Sequence, residues 1–206
     1  MERLKGKTAM VVGAGSIGPG WGNGKATAVT FAREGAQVFC VDRNAAAAEE
    51  TAKIITGEGG KATAYTADVS KAAEVEAMVA ACLKAYGRID VLDNNVGIAE
   101  MGNVVEVSEA EWDRVMAVNL KSAFLAMKHV IPVMQKQGGG SIINISSIAS
   151  IRHGRDPGLA SRRRRMRGAR HQGCDQGRGA LRLPGAEGRR DARACRDRTG
   201  DRGAGA

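Results

Sequence analysis

A chain of 206 residues, 43% of them hydrophobic and 26% charged, suits one domain with a sizeable core and leaves no room for a second full one. No stretch approaches the roughly 18 apolar residues that span a bilayer, and Met1 to Lys7 carries no apolar signal region, so no membrane association and a cytoplasmic location are expected. The net charge of +9 is segregated: through Ile151 there are 15 Lys and Arg against 16 Asp and Glu, and from Arg152 onward 16 Arg against 6 acids, which excludes a fold that is basic throughout.

Lys7 to Val12 has the length and apolar content of a strand, and Lys25 to Ala32 has apolar residues at helical spacing. Between them lies Gly13-Ala14-Gly15-Ser16-Ile17-Gly18-Pro19-Gly20-Trp21-Gly22-Asn23-Gly24. Glycines in a strand-to-helix turn let main-chain N–H groups approach a pyrophosphate, whose charge then faces the positive end of the helix dipole. A second strand, Gln37 to Asp42, delivers an acid at close to the separation of about 20 residues at which a carboxylate takes ribose hydroxyls, completing a βαβ unit.

Asn44 then caps a helix running to about Thr56, which Gly57-Glu58-Gly59-Gly60 ends. Lys61 to Ala67 reads as a third strand leading to Asp68-Val69. From Ser70 an amphipathic helix follows, with Val75, Met78, Val79, Cys82 and Leu83 on one face and a stop at Gly87. Ile89 to Asp93 is a fourth strand that enters Asn94-Asn95-Val96-Gly97, and ligands bind at such carboxyl ends in open α/β sheets. Ser108 and Glu111 have capping-box spacing at the start of a helix whose buried side is expected to be Trp112, Val115 and Met116, with Asn119 late in it. A long helix from Lys121 to Gln137 breaks at Gly138-Gly139-Gly140. Ser141 to Ser146 is a fifth, β-branched strand with Ser147 at its end. The four cysteines, Cys40, Cys82, Cys174 and Cys195, have neither metal-ligand nor redox spacing, so reduced thiols and no metal site are expected; His129 and His153 have no partners in the sequence.

The joint pattern of Gly13 to Gly24, Asp42, Asp68-Val69, Asn94-Asn95-Val96-Gly97, Asn119 and Ile143-Asn144-Ile145-Ser146-Ser147, in this order, resembles the short-chain dehydrogenase/reductase family over residues 1–151. The resemblance implies an α/β fold, a Rossmann-like doubly wound parallel sheet. It further implies NAD or NADP as cofactor and a small secondary alcohol or ketone as substrate, with homo-oligomers among intact relatives. It places Gly13, Ser16, Gly22 and Gly24 at the pyrophosphate, Asp42 at the adenosine ribose, Asp68 and Val69 at the adenine, Asn95 near the second ribose, and Asn119 and Ser147 among the catalytic residues. Either Gly18 or Gly22 fits the middle glycine; Gly22 and Gly24 are favoured because they directly precede the helix, which makes Pro19-Gly20-Trp21 an inserted turn. Asp42 favours NAD over NADP, since its carboxylate would repel a 2′-phosphate, with Arg43 pulling the other way. Asp93 stands where relatives are apolar, and an unpaired buried carboxylate is costly.

The pattern then breaks. In this family a Tyr follows the Ser and a Lys follows that Tyr by one helical turn, but the only tyrosines here are Tyr65 and Tyr86 and the last lysine is Lys136. The Tyr should pass the proton at the substrate oxygen and the Lys should lower its pKa, so impaired catalysis is expected. From Arg152 on there is no Val, Ile, Phe, Tyr or Trp. The 152–206 segment is therefore read as a disordered Arg/Gly/Ala-rich tail, with the last strands and helices of the fold missing and the fifth strand left as an apolar edge. One base out of frame, codons for His171 to Gln176 can read Thr, Lys, Ala, Ala, Ile, similar to the helix holding the family's lysine. The tail is accordingly read as an out-of-frame translation of a GC-rich gene. Without aromatics to stack on bases, its arginines would bind nucleic acid only nonspecifically. A dinucleotide-binding module without turnover and an arginine-rich nucleic-acid-binding protein are the competing functional readings.

Overall fold

The computed structural model describes residues 2–100 and 102–147; the basic segment, its expected disorder and the shifted-frame stretch lie outside them. Five strands, β1 (Thr8–Val12), β2 (Gln37–Asp42), β3 (Lys61–Thr66), β4 (Val91–Asn94) and β5 (Ser141–Asn144), form one sheet in the order β3-β2-β1-β4-β5. All four pairings are parallel, with Val11 registered against Cys40 on one side and Asp93 on the other, and Asp93 in turn against Ile143. The helices are α1 (Asn23–Arg33), α2 (Ala45–Gly57), α3 (Ala72–Tyr86), α4 (Glu109–Met116) and α5 (Ser122–Lys136). The chain winds outward from β1 to β3 and then returns to β4 on the other side. This reversal opens a crevice at the carboxyl ends of β1 and β4. The expected α/β doubly wound parallel sheet is present.

Strand alternation divides the core between the two faces of the sheet. Met10, Val12, Phe39, Val41 and Leu92 pack with Val75, Met78 and Cys82 of α3 and Leu125, Ala126 and Val130 of α5. Ala9, Val11, Val38 and Cys40 pack with Ala28 and Val29 of α1 and Ile55 of α2. Burial pushes the thiols of Cys40 and Cys82 up to about 12, so both are inert.

Local chemistry sets several helix ends. Asn44 accepts hydrogen bonds from the Ala46 and Ala47 N–H groups at the start of α2, and Gly87, in the left-handed region at φ 75°, ends α3 by donating to Leu83 O at 2.8 Å. Ser108 caps α4 by accepting from Glu111 N–H at 3.2 Å, but the Glu111 carboxylate turns to Arg114 instead of back to Ser108, so only half of a capping box forms. Two expectations for this region need correction. α4 buries no residue, and Trp112 is 59% exposed, because no described element covers that side of the helix. Nor does Asn119 fall within the first helix: α4 ends at Met116, and Asn119 lies in a π turn, Ala117–Lys121, that joins α4 to α5. β5 pairs only with β4 among the described residues and leaves Ile143 and Ile145 exposed.

One buried carboxylate ties the amino ends of β1 and β4 together. Asp90 accepts from the Thr8 N–H at 2.9 Å and from both Arg88 Nε (2.8 Å) and Nη2 (2.6 Å), with Lys7 at 3.7 Å. Burial pushes its carboxyl up, but hydrogen bonds from Arg88 and Thr8 and the charges of Arg88 and Lys7 outweigh this and hold it below the ordinary range. A lowered folded-state pKa means stability that is present above the ordinary carboxylate range and lost as pH falls through the folded value. Asp90→Ala should therefore lower stability in urea by about 2 kcal/mol at neutral pH, and the deficit should shrink as the protein is acidified below the carboxylate range. A deficit unchanged by pH would show that Asp90 acts through packing alone.

Candidate dinucleotide-binding site

A cleft of about 1040 Å³ opens at the switch point of the sheet and collects the loop after β1, the ends of β2 and β4, Asp68-Val69-Ser70 and the end of β5. Gly13, Ser16, Gly22, Gly24, Asp42, Asp68, Val69, Asn95, Asn119 and Ser147, the ten residues singled out in the sequence, all line it.

The glycines do different work. Gly13 sits at φ 87°, and a Cβ there would meet Asn95 O at 2.7 Å. At Gly24 a Cβ would lie 1.8 Å from Gly13 O, so a glycine here is what lets α1 approach the end of β1. At Gly22 a Cβ would meet Ser16 Oγ at 2.9 Å, whereas at Gly18 it would meet nothing within 4 Å. Gly22 is also the N-cap of α1. No side chain caps that helix and its first turn holds no acid, so its leading N–H groups and dipole are presented to an anion. This uncapped helix start, with a loop that leaves no room for a Cβ at Gly13, Gly22 or Gly24, fits a pyrophosphate.

The Pro19-Gly20-Trp21 turn and the loop before it are pinned by Ser16 and by two residues that sequence reasoning missed, Lys25 and Thr51. Lys25, only 2% exposed, donates from Nζ to Gly20 O at 3.1 Å and pairs with Glu50 of α2 at 2.9 Å. Ser16 Oγ donates to the same Gly20 carbonyl at 3.2 Å and accepts from Gly22 N–H at 2.6 Å. Thr51 Oγ1, buried in α2, donates to Ala14 O at 2.8 Å. Lys25 and Thr51 carry no sequence signal of such roles, because the partner of each is a loop carbonyl whose position depends on the fold.

Asp42 closes the loop from the other side, accepting from Gly15 N–H through Oδ2 and from Asn44 N–H through Oδ1, each at 2.9 Å. Each oxygen keeps a lone pair for a further donor. Next along the cleft, Asp68 accepts from Ser70 Oγ at 2.7 Å and from Ser70 N–H at 3.1 Å. The Ser70 hydroxyl bond, and to a lesser degree the Ser70 backbone and the charges of Lys71 and Arg43, hold its carboxyl below the usual range against the effect of burial.

At the β4 end, Asn94 is buried and donates from Nδ2 to Asn144 Oδ1 at 2.8 Å, tying β4 to β5. Asn95 donates its main-chain N–H to Val12 O at 2.9 Å and its Nδ2 to Asp93 Oδ2 at 3.1 Å. Asp93 itself is fully buried, its Oδ1 has no hydrogen-bond partner among the described residues, and burial pushes its carboxyl up, partly offset by Asn95. Asn119 lies in the π turn, a feature frequent at functional sites, and clasps the Ile98 backbone in both directions, accepting its N–H and donating to its carbonyl, each at 2.8 Å. Ser147 lies exposed on the same wall. Neither tyrosine reaches the cleft: Tyr86 shares a hydrogen bond with Thr63 at 2.8 Å, and Tyr65 stacks beside Phe39 with ring centroids 5.4 Å apart. The described lining can therefore hold a dinucleotide, but it includes no phenol to pass a proton.

Replacing Gly24 tests the approach of helix to strand. Gly24→Ala should cost about 3 kcal/mol in thermal or urea unfolding, since backbone stands where the methyl would go. A variant as stable as the parent would show that the loop gives way easily.

Among the described residues no helix is long and apolar enough to cross a membrane. Residues 7–156 match the family model described as short chain dehydrogenase. An uncharacterized oxidoreductase of Thermotoga maritima is 42% identical over 148 residues, covering 72% of this chain and 56% of that protein. Levodione reductase of Leifsonia aquatica is 35% identical over 193 residues, covering 89% of this chain and 70% of that protein. A crystal structure described as that of a short-chain dehydrogenase/reductase from Burkholderia xenovorans superposes with a TM-score of 0.72 at 49% identity, covering 74% of this chain and 60% of that one. The chain thus spans little more than half the length of the Thermotoga relative. With a parallel sheet reversing at β1 and β4, a glycine cradle before α1, and relatives of this identity, the chain belongs to the short-chain dehydrogenase/reductase family of oxidoreductases.

Proposed function

We propose that this chain binds NAD in preference to NADP in the cleft at the switch point, in a frame whose family role is hydride exchange with a small secondary alcohol or ketone. The observation that carries the reading is the pairing of an uncapped α1 N-terminus with the Asp42 carboxylate, joined through Gly15 N–H. The helix start and the loop amides bind the pyrophosphate, and Asp42 accepts ribose hydroxyls while repelling a 2′-phosphate. Arg43, exposed on the cleft wall, is the cation that opposes this preference. Asp68 and Val69 border the adenine, Asn95 meets the second ribose, Asn119 braces the Ile98 backbone beside the reacting end, and Ser147 polarises the substrate oxygen.

When bound, the nicotinamide supplies the hydride or accepts it. The chain's own task is then to move a proton at the substrate oxygen, and no Tyr follows Tyr86 and no Lys follows Lys136 to do so. The protein should bind its cofactor and turn over poorly, while an in-frame parent carrying the Tyr and Lys turns over normally. Resequencing the DNA from codon 145 onward should reveal an inserted or deleted base near codons 152–165; a frame confirmed as written removes that explanation of the tail.

Titration with NADH and NADPH should show tighter NADH binding, and Asp42→Ala should weaken NADH by about tenfold or more, the worth of a hydrogen bond to a charged acceptor. Tighter NADPH binding by the parent chain would give the preference to Arg43. Turnover of a small ketone with NADH by the chain as written would remove the claim of impairment.

A further inference from the structure

Asp93 is the one described carboxylate that the fold buries completely while leaving an oxygen unpartnered, and β1 and β5 face it with Val11 and Ile143 in register. Such a group opposes folding, and an apolar side chain at this central sheet position would not. What Asp93 does contact is Asn95, through a 3.1 Å bond from Asn95 Nδ2 to its Oδ2. Asn95 in turn is held by its own main-chain bond to Val12 and packs its carbonyl against Gly13, so its backbone is set independently of Asp93. Only the rotation of its side-chain amide is left to be decided.

We propose that Asp93 is a positioning residue for the dinucleotide: it fixes the Asn95 carboxamide so that Oδ1, and not Nδ2, is the atom offered to a hydroxyl of the ribose beyond the pyrophosphate. A carboxyl group keeps an accepting oxygen in either protonation state, so it takes the amide N–H and leaves the amide carbonyl for the ligand. An apolar residue would leave the amide free to rotate, and a ribose hydroxyl could no longer rely on an acceptor. A dinucleotide lying across the switch point puts the adenosine half over β2 and Asp42 and the other half over β4, where Asn95 stands. The assignment rests on the dinucleotide reading above.

The test compares NADH with ADP, which has the adenosine and pyrophosphate but no second ribose, on the full chain. Asp93→Leu should melt at or above the parent temperature, weaken NADH by about fivefold, the worth of one neutral hydrogen bond, and leave ADP unchanged. Asp93→Asn, which keeps an accepting oxygen but can also present N–H, should weaken NADH less, and it carries the comparison should the leucine variant fail to fold. In an Asn95→Ala background either change at Asp93 should have no further effect on NADH. Equal weakening of NADH and ADP, an undiminished effect without the Asn95 amide, or no effect on NADH at all would each overturn the proposal. A parent chain that binds neither ligand would overturn the dinucleotide reading and this assignment with it, whereas a parent that binds both while Asp93→Leu and Asp93→Asn behave as the parent does would overturn this assignment alone.

Discussion

The contact on which the rest of the site depends is the one between Gly24 of α1 and the Gly13 carbonyl at the end of β1, where a single added carbon would come within 1.8 Å of backbone. Because the helix can come that close, its uncapped N-terminus opens directly over the carboxyl edge of the sheet. Asp42 then reaches back from β2 to the Gly15 N–H, and Thr51 reaches from α2 to Ala14 O, so the loop is held from two further elements of the fold. The Pro19-Gly20-Trp21 turn adds a second layer of restraint. Burying the Lys25 ammonium is offset by Gly20 O and Glu50, and the Ser16 hydroxyl bridges the Gly20 carbonyl and the Gly22 N–H.

Carboxylates at the strand ends and in the middle of the sheet show opposite electrostatic solutions. Asp90 and Asp68 are surrounded by donors and held below the ordinary range, so each favours the folded state at neutral pH. Asp93 lies in the middle of the sheet with one amide donor and is pushed the other way, so its ionised form costs stability. A group that weakens the fold beside a ligand cleft is the kind of local inconsistency that a functional demand explains.

The opposite wall is built differently. A π turn between α4 and α5 carries Asn119, whose amide is spent on the Ile98 backbone, so its contribution to the site is the shape of the β4 exit loop. Ser147 completes that wall, and among the described residues the covering of β5 ends there, with Ile143 and Ile145 exposed.

The amino-acid sequence by itself determined the alternation of strands and helices, the parallel α/β class, the glycine loop, the Asn44 cap and the Gly87 stop, because period, turn chemistry and capping act between residues near one another in the chain. The family resemblance also marked Asp93 as anomalous, since it stands at a strand position where relatives are apolar. Only the tertiary structure decided that Trp112 is exposed, that the helices around Asn119 join through a π turn, that Gly22 and Gly24 meet neighbours where Gly18 meets none, and that Lys25 and Thr51 pin the loop. Each of those depends on which distant segment lies against which. Local propensity holds no information about a partner that reaches the residue only once the sheet has assembled.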